Sequence, residues 1–189
     1  MLGIYITAGY PTKEHTIKAL RILDEANVDL IELGVPFSDP LADGPVIQKA
    51  SHQALQQGMN LDKIFDLLQE ARSLGVHAAP AKGLNNVILF SYYNPLYAYG
   101  WDKLIKQCQA HQVRGVLIAD LPVDEAEILS KKFKAAGLDL VLLAAITSTE
   151  ERLRRIYDLS SPFVYLVSRI GITGSDSDNA SLRGAERSE

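Results

Sequence analysis

Cysteine is nearly absent from this chain: Cys108 is the only one in 189 residues. A lone thiol cannot close an internal disulfide, so a reducing, cytoplasmic setting is expected. Histidine is scarce as well. His15, His52, His77 and His111 have no metal-ligand spacing between them, so no metal site is expected. Long apolar runs are missing, and none approaches the ~18 residues of a membrane span. The opening stretch "MLGIYITAGYPT" lacks the basic region and long apolar core of a signal peptide. Positive charge is in deficit: Lys and Arg number 19 against 23 Asp and Glu, a net charge of −4. There is no basic stripe, which argues against nucleic acid as a partner. What remains is 47% apolar and 22% charged residues, the balance of one globular domain able to bury a core.

Strand and helix patterns alternate from the start. Strands are expected over 3–9, 30–35, 86–92, 115–120, 139–146 and 163–169. Helices are expected over about 13–26, 46–57, 61–74, 101–111, 123–136 and 149–158. Gly58 and Gly137 stand where helices should stop, and Ser148 with Glu151 has the spacing of a capping box. Strict alternation means a parallel α/β sheet. An open doubly wound sheet and a (β/α)8 TIM barrel compete. No G-x-G-x-x-G turn follows a strand, which weakens the dinucleotide-binding form of the open sheet.

The second strand separates the two further. In "LIELGV" (30–35), Ile31, Leu33 and Val35 make one apolar face, while Leu30, Glu32 and Gly34 make the other. A sheet sandwiched between helices has no place for Glu32. A barrel has one, because inward residues near the C-terminal mouth reach the active site. An edge-strand glutamate facing water is the plainer alternative. Eleven residues on, Asp43 sits in "PFSDPLADGP", where three prolines stiffen the loop. Asp-Gly is also an ordinary turn pair. Together, though, two carboxylates from one βα unit in different surroundings can hold different protonation states and take different roles. Asp120 either caps the turn after the fourth strand or lines the mouth. Tyr92, Tyr93 and Asn94 line an apolar site or fill the barrel top. "SRIGITG" (168–174) is a βα turn or a lid whose amides meet an anion.

The segments "ITAGYPT", "IELGVPFSDPLADGPVIQ", "SYYNPLYAYG", "IADLPVDEA" and "YLVSRIGITG" resemble, in order and spacing, those of the tryptophan synthase alpha chain family, over about residues 3–174. The resemblance implies a TIM barrel that cleaves indole-3-glycerol phosphate to indole and glyceraldehyde 3-phosphate, a lyase of tryptophan biosynthesis. It implies no cofactor or metal in this chain. The implied partner is a tryptophan synthase beta chain, which carries pyridoxal phosphate, in an alpha2-beta2 tetramer. Matched motif by motif, the general acid–base glutamate falls on Glu32 and the aspartate that meets the indole N–H on Asp43. Tyr165 falls on the active-site tyrosine, Thr173 on the lid threonine and Gly174 on the phosphate-contacting amide. Tyr5, Ile47 and Phe90 fall on apolar wall positions. Pro36, Asp39 and Pro40, with Asn94, fall on surfaces that meet the beta chain.

The resemblance also implies turns reading "GFG" and "GS" after a seventh and an eighth strand, and neither occurs here in that context. The expectation is therefore an incomplete barrel of six strands over 1–174, followed by a polar tail over 175–189. Such a chain is expected to be unstable and inactive alone. Two functions stand at this point: the lyase, or a non-catalytic chain that at most binds the beta subunit.

Overall fold

The computed structural model describes residues 2–74 and 86–167. Thr173, Gly174 and the expected tail lie outside the described residues. Six strands and seven helices follow in alternation: β1 (Gly3–Thr7), α1 (Lys13–Glu25), β2 (Leu30–Gly34), α2 (Pro45–Gln56), α3 (Leu61–Ser73), β3 (Val87–Ser91), α4 (Tyr93–Tyr99), α5 (Trp101–Ala110), β4 (Gly115–Ile118), α6 (Val123–Ala135), β5 (Asp139–Ala145), α7 (Glu150–Leu159) and β6 (Val164–Val167). The strands lie in chain order β1-β2-β3-β4-β5-β6, and every neighbouring pair is parallel. This is the curved wall of a TIM barrel carrying six strands. β1 and β6 end the sheet among the described residues. Beside β6, Leu153, Tyr157 and Leu166 stay exposed around a groove of about 640 Å³.

The two faces of the wall carry two cores. Ile31, Leu33 and Val35 join a large cluster between sheet and helices, with Leu20, Phe65, Leu68, Leu89, Leu104, Val116, Phe133 and Leu140. Each such side chain contributes about 1.5–3 kcal/mol when fully buried. On the concave face Leu30, Ile88, Leu117 and Val141 form a separate cluster, with Phe90, Leu143, Phe163 and Tyr165 packed on it. The register accounts for the division, since Leu33 pairs with Leu89, which pairs with Val116, all on the helix side. The face that holds Glu32 is therefore the barrel interior.

Helix starts follow local chemistry. Thr12 caps α1 by accepting from the His15 amide, and Asn60 caps α3 by accepting from Lys63 at 3.0 Å. α6 has Asp124 and Glu125 in its first turn and Lys132 and Lys134 in its last, as the helix dipole favours. Gly58 and Gly137 leave their helices with φ of +75° and +71°. Three local expectations need correction. β1 stops at Thr7 rather than residue 9, because Gly9 turns with φ +82° and its amide goes to Thr16 Oγ1 at 2.9 Å. The cap of α7 is Thr149, whose side chain accepts from Arg152. Ser148 Oγ instead accepts from the Ala145 amide at 3.1 Å, closing the turn after β5. Finally, α4 was not expected. Pro95 and three tyrosines argue against a helix, yet Pro95 falls in the first turn, where its missing N–H costs nothing.

Candidate active site

Glu32 stands at the centre of β2 and is 8% exposed. Across the sheet it pairs with Tyr5 on one side and Ile88 on the other. Burial pushes its carboxyl above the usual carboxylate range, and among the described residues no hydrogen bond or cation opposes the shift. A carboxyl raised in this way keeps its proton to higher pH than a solvated one, which suits a group that must both give and take a proton.

Gly34 follows on the same face, and its lack of a side chain is required. A Cβ there would lie 2.2 Å from the Tyr5 hydroxyl oxygen. The Tyr5 hydroxyl thus lies directly over Gly34, reached at 3.5 Å by Thr7 Oγ1. Burial raises the Tyr5 hydroxyl to about 12, and the charges of Asp43 and Glu32 both add to the shift. One hydroxyl therefore feels both carboxylates.

Asp43 comes from the loop between β2 and α2. A turn delivers it: its amide bonds Pro40 O at 3.0 Å, and Leu41 N bonds Asp39 O at 2.9 Å. Gln48, on the first turns of α2, donates to Asp43 O at 2.9 Å. The Asp43 carboxyl is also raised by burial, but the Tyr92 hydroxyl, which bonds it, pulls the other way. The two acids thus share a direction of shift and differ in what opposes it.

An aromatic arc forms the wall. Tyr5 meets Phe90 edge-on at 5.5 Å between ring centroids, and Phe90 meets Tyr165 edge-on at 6.1 Å. The Glu32 charge reaches the Tyr165 hydroxyl. Ile47, near the start of α2, lines a cleft of about 260 Å³ together with Tyr5 and Thr7. The structure thus gathers Tyr5, Glu32, Asp43, Phe90 and Tyr165 around one end of the wall, with Ile47 beside them. Of the loop positions, Pro36 is buried, Pro40 is half-buried and Asp39 is exposed. Asn94 is exposed on the first turn of α4. Among the described residues no group of three His, Cys, Asp or Glu side chains is placed to hold a metal ion. None of the described helices is long and apolar enough to cross a membrane.

Tyr92, expected to line an apolar site or fill the barrel top, also reaches the loop after β2, a contact that the segment "SYYNPLYAYG" does not announce. Only the meeting of the β3 end with the loop after β2 reveals its contact with Ala42. Asp120 caps α4 from across the sheet instead of the turn that follows its own strand.

A parallel barrel wall with a desolvated glutamate facing inward on β2, and an aspartate in the loop that follows, defines a TIM-barrel protein with two carboxylates at its mouth. Comparison with known proteins narrows this. The family model described as tryptophan synthase alpha chain matches residues 2–184. The tryptophan synthase alpha chain of Microcystis aeruginosa is 48% identical over 170 residues, 90% of this chain and 61% of that protein. That of Methanosarcina acetivorans is 41% identical over 174 residues, 92% of this chain and 60% of that protein. Among solved structures, a chain of the tryptophan synthase a2b2 complex from Pyrococcus furiosus superposes with a TM-score of 0.79 at 39% identity, covering 89% of this chain and 68% of that one. The chain belongs to the tryptophan synthase alpha chain family. It spans about three fifths of the length of these two curated relatives.

Proposed function

We propose that this chain carries the catalytic carboxylates of an indole-3-glycerol phosphate lyase, the alpha subunit of a tryptophan synthase. The observation that carries the reading is Glu32: a buried carboxyl on the barrel interior, raised by desolvation, beside an aromatic wall suited to a flat indole. In the retro-aldol step Glu32 delivers a proton to indole C3. Asp43 stabilises the positive charge that then forms at the indole N–H. Glu32, now a carboxylate, takes the proton of the adjacent glycerol hydroxyl. The electrons of that O–H bond form the aldehyde as the bond to C3 breaks, and the pair left at C3 returns to the ring. Glu32 ends protonated, as it began, and no redox partner is consumed.

In this reading Tyr5, Ile47, Phe90 and Tyr165 hold the indole, Thr173 closes over it, and Gly174 meets the phosphate. The partner is a beta chain, in an alpha2-beta2 assembly like the complex named for the Pyrococcus furiosus structure. Pro36, Asp39, Pro40 and Asn94 form its docking surface. Leu41 and Val46, apolar and 83% and 76% exposed, support that placement. A cytoplasmic setting belongs to the same reading, supported by a single thiol, Cys108, that is fully buried.

The test is indole release from indole-3-glycerol phosphate by the chain with beta chain present. Glu32→Gln keeps shape and hydrogen bonding and should lose roughly 10²–10⁴ of the rate while still binding substrate. No indole from the unmodified chain, or a Glu32→Gln variant at the parent rate, would overturn the proposal.

A further inference from the structure

The contact between Tyr92 and the Ala42–Asp43 turn joins residues some fifty positions apart, and the acid–base scheme leaves it unused. The Tyr92 hydroxyl oxygen accepts from the Ala42 amide at 3.0 Å and also bonds the Asp43 carboxylate. A phenol has one hydrogen and two lone pairs. With a lone pair taken by the Ala42 N–H, the single hydrogen goes to Asp43. The ring has little freedom to take that bond elsewhere. It is 6% exposed and packs against Phe37 at 5.3 Å with 36° between planes. Phe37 belongs to the same proline-rich loop as Asp43, so Tyr92 grips that loop at two points.

We propose that Tyr92 is the positioning residue for Asp43: anchored on the Ala42 amide, its hydroxyl donates to the Asp43 carboxylate and fixes where that carboxylate points. The inference rests on the acid–base reading of Asp43 given above, and it deepens that reading. A carboxylate that is to meet a cationic indole N–H must be ionised and aimed before the charge forms. Burial works against ionisation at Asp43, and a hydrogen bond from a neutral donor favours it. Tyr92 remains that neutral donor at working pH, because burial and the nearby Asp43 and Asp120 charges push its own ionisation far up. The other titratable groups facing this corner are Tyr5 from β1, which feels both carboxylates, and Glu32 from β2. Neither bonds Asp43 among the described residues.

The experiment is Tyr92→Phe in the full chain, which keeps the ring and removes the hydroxyl. Carbon-13 carboxyl NMR, with Asp43 assigned through Asp43→Asn, follows the titration of that one group. The Asp43 midpoint should move upward in Tyr92→Phe. With beta chain and substrate, kcat should fall about 10- to 100-fold with KM little changed. The acidic limb of the rate profile should shift to higher pH, whereas a merely structural loss would lower the rate equally across pH. An Asp43 midpoint unchanged or lowered in a folded Tyr92→Phe variant overturns the proposal. If that variant does not fold, the unmodified chain decides: the Tyr92 Cζ resonance must titrate at the Asp43 midpoint, and its failure to do so overturns the proposal. If the Asp43 midpoint moves as expected but the unmodified chain releases no indole, the lyase reading fails and the positioning contact stands.

Discussion

Asp120, just past β4, accepts a 2.6 Å hydrogen bond through Oδ1 from the backbone amide of Tyr93 at the start of α4. The pair spans 27 residues and ties two adjacent βα units together at the mouth of the wall. Tyr92, in the N-cap position, offers no side-chain cap of its own, so Asp120 supplies from another strand what the local sequence lacks. Asp120→Ala should cost about 0.5–2 kcal/mol, the range for a lost N-cap. Asp120→Asn keeps an acceptor and should lose less. Thermal melting of both variants, with amide exchange read at Tyr93, checks this. Parent-like exchange at Tyr93 in Asp120→Ala would count against the cap.

Glu32 is expected to lower the stability of the fold that holds it. Its carboxyl is raised in the folded state by burial. The folded chain therefore binds more protons than the unfolded chain between the ordinary and the raised value. Stability from this group is full below the ordinary carboxylate range and is lost as pH rises through the raised one. Glu32→Gln, neutral at all pH, should melt higher than the parent at pH 7, and the gap should close as pH falls below the ordinary range. Melting curves from pH 3 to 8 give the answer. A gap that stays constant with pH would refute the desolvation account.

Gly34 and Tyr5 are matched to each other. An added Cβ at position 34 would lie 2.2 Å from the Tyr5 hydroxyl oxygen, 2.6 Å from Cζ and 2.9 Å from Cε2. Tyr5 is a poor candidate to move, since its ring packs edge-on against Phe90. Gly34→Ala should destabilise by about 1–3 kcal/mol, as overpacking does. Adding Tyr5→Phe removes the closest atom but leaves the ring carbons, so it should recover part of the loss. Denaturant melts of the two single variants and the double variant measure the coupling. Simple additivity would show that Tyr5 is not the atom in the way.

The proline loop should weaken partner binding when altered without unfolding the chain. Asp39 and Asn94 are exposed. Asp39 is tied locally by Ser38 Oγ at 2.6 Å. Asp39→Lys reverses a surface charge, and Pro40→Gly loosens the turn that delivers Asp43. Both should bind beta chain less tightly while melting near the parent. Titration showing parent-like affinity for both would remove this loop from the docking surface.

The alternation of elements was legible because each strand and helix has its own hydrophobic period. Ile31, Leu33 and Val35 against Leu30, Glu32 and Gly34 announced a two-faced strand, and the structure puts those faces in two separate cores. Glu32 and Asp43 were legible because a charge inside an apolar strand, and an acid in a proline-stiffened loop, each break a local rule. α4 was not legible, because five of its seven residues are Tyr, Asn or Pro, weak helix formers, and its cap comes from Asp120 in another unit. The cap of α7 was misplaced by one residue because Ser148 and Thr149 are equivalent as local acceptors, and only the turn after β5 chooses between them.

The sequence by itself determined the order of elements, the inward face of β2 and the identity of the two carboxylates, since these depend on spacing along one chain. Tertiary structure decided what those groups experience. The raised state of Glu32 depends on β1 and β3 closing over β2. The aromatic arc requires three strands to bring Tyr5, Phe90 and Tyr165 edge to face. The grip of Tyr92 on the Asp43 turn needs the end of β3 to meet a loop fifty residues away in sequence. Desolvation and hydrogen bonding act through distances of a few ångströms, and a linear pattern does not record which distant residues are brought that close.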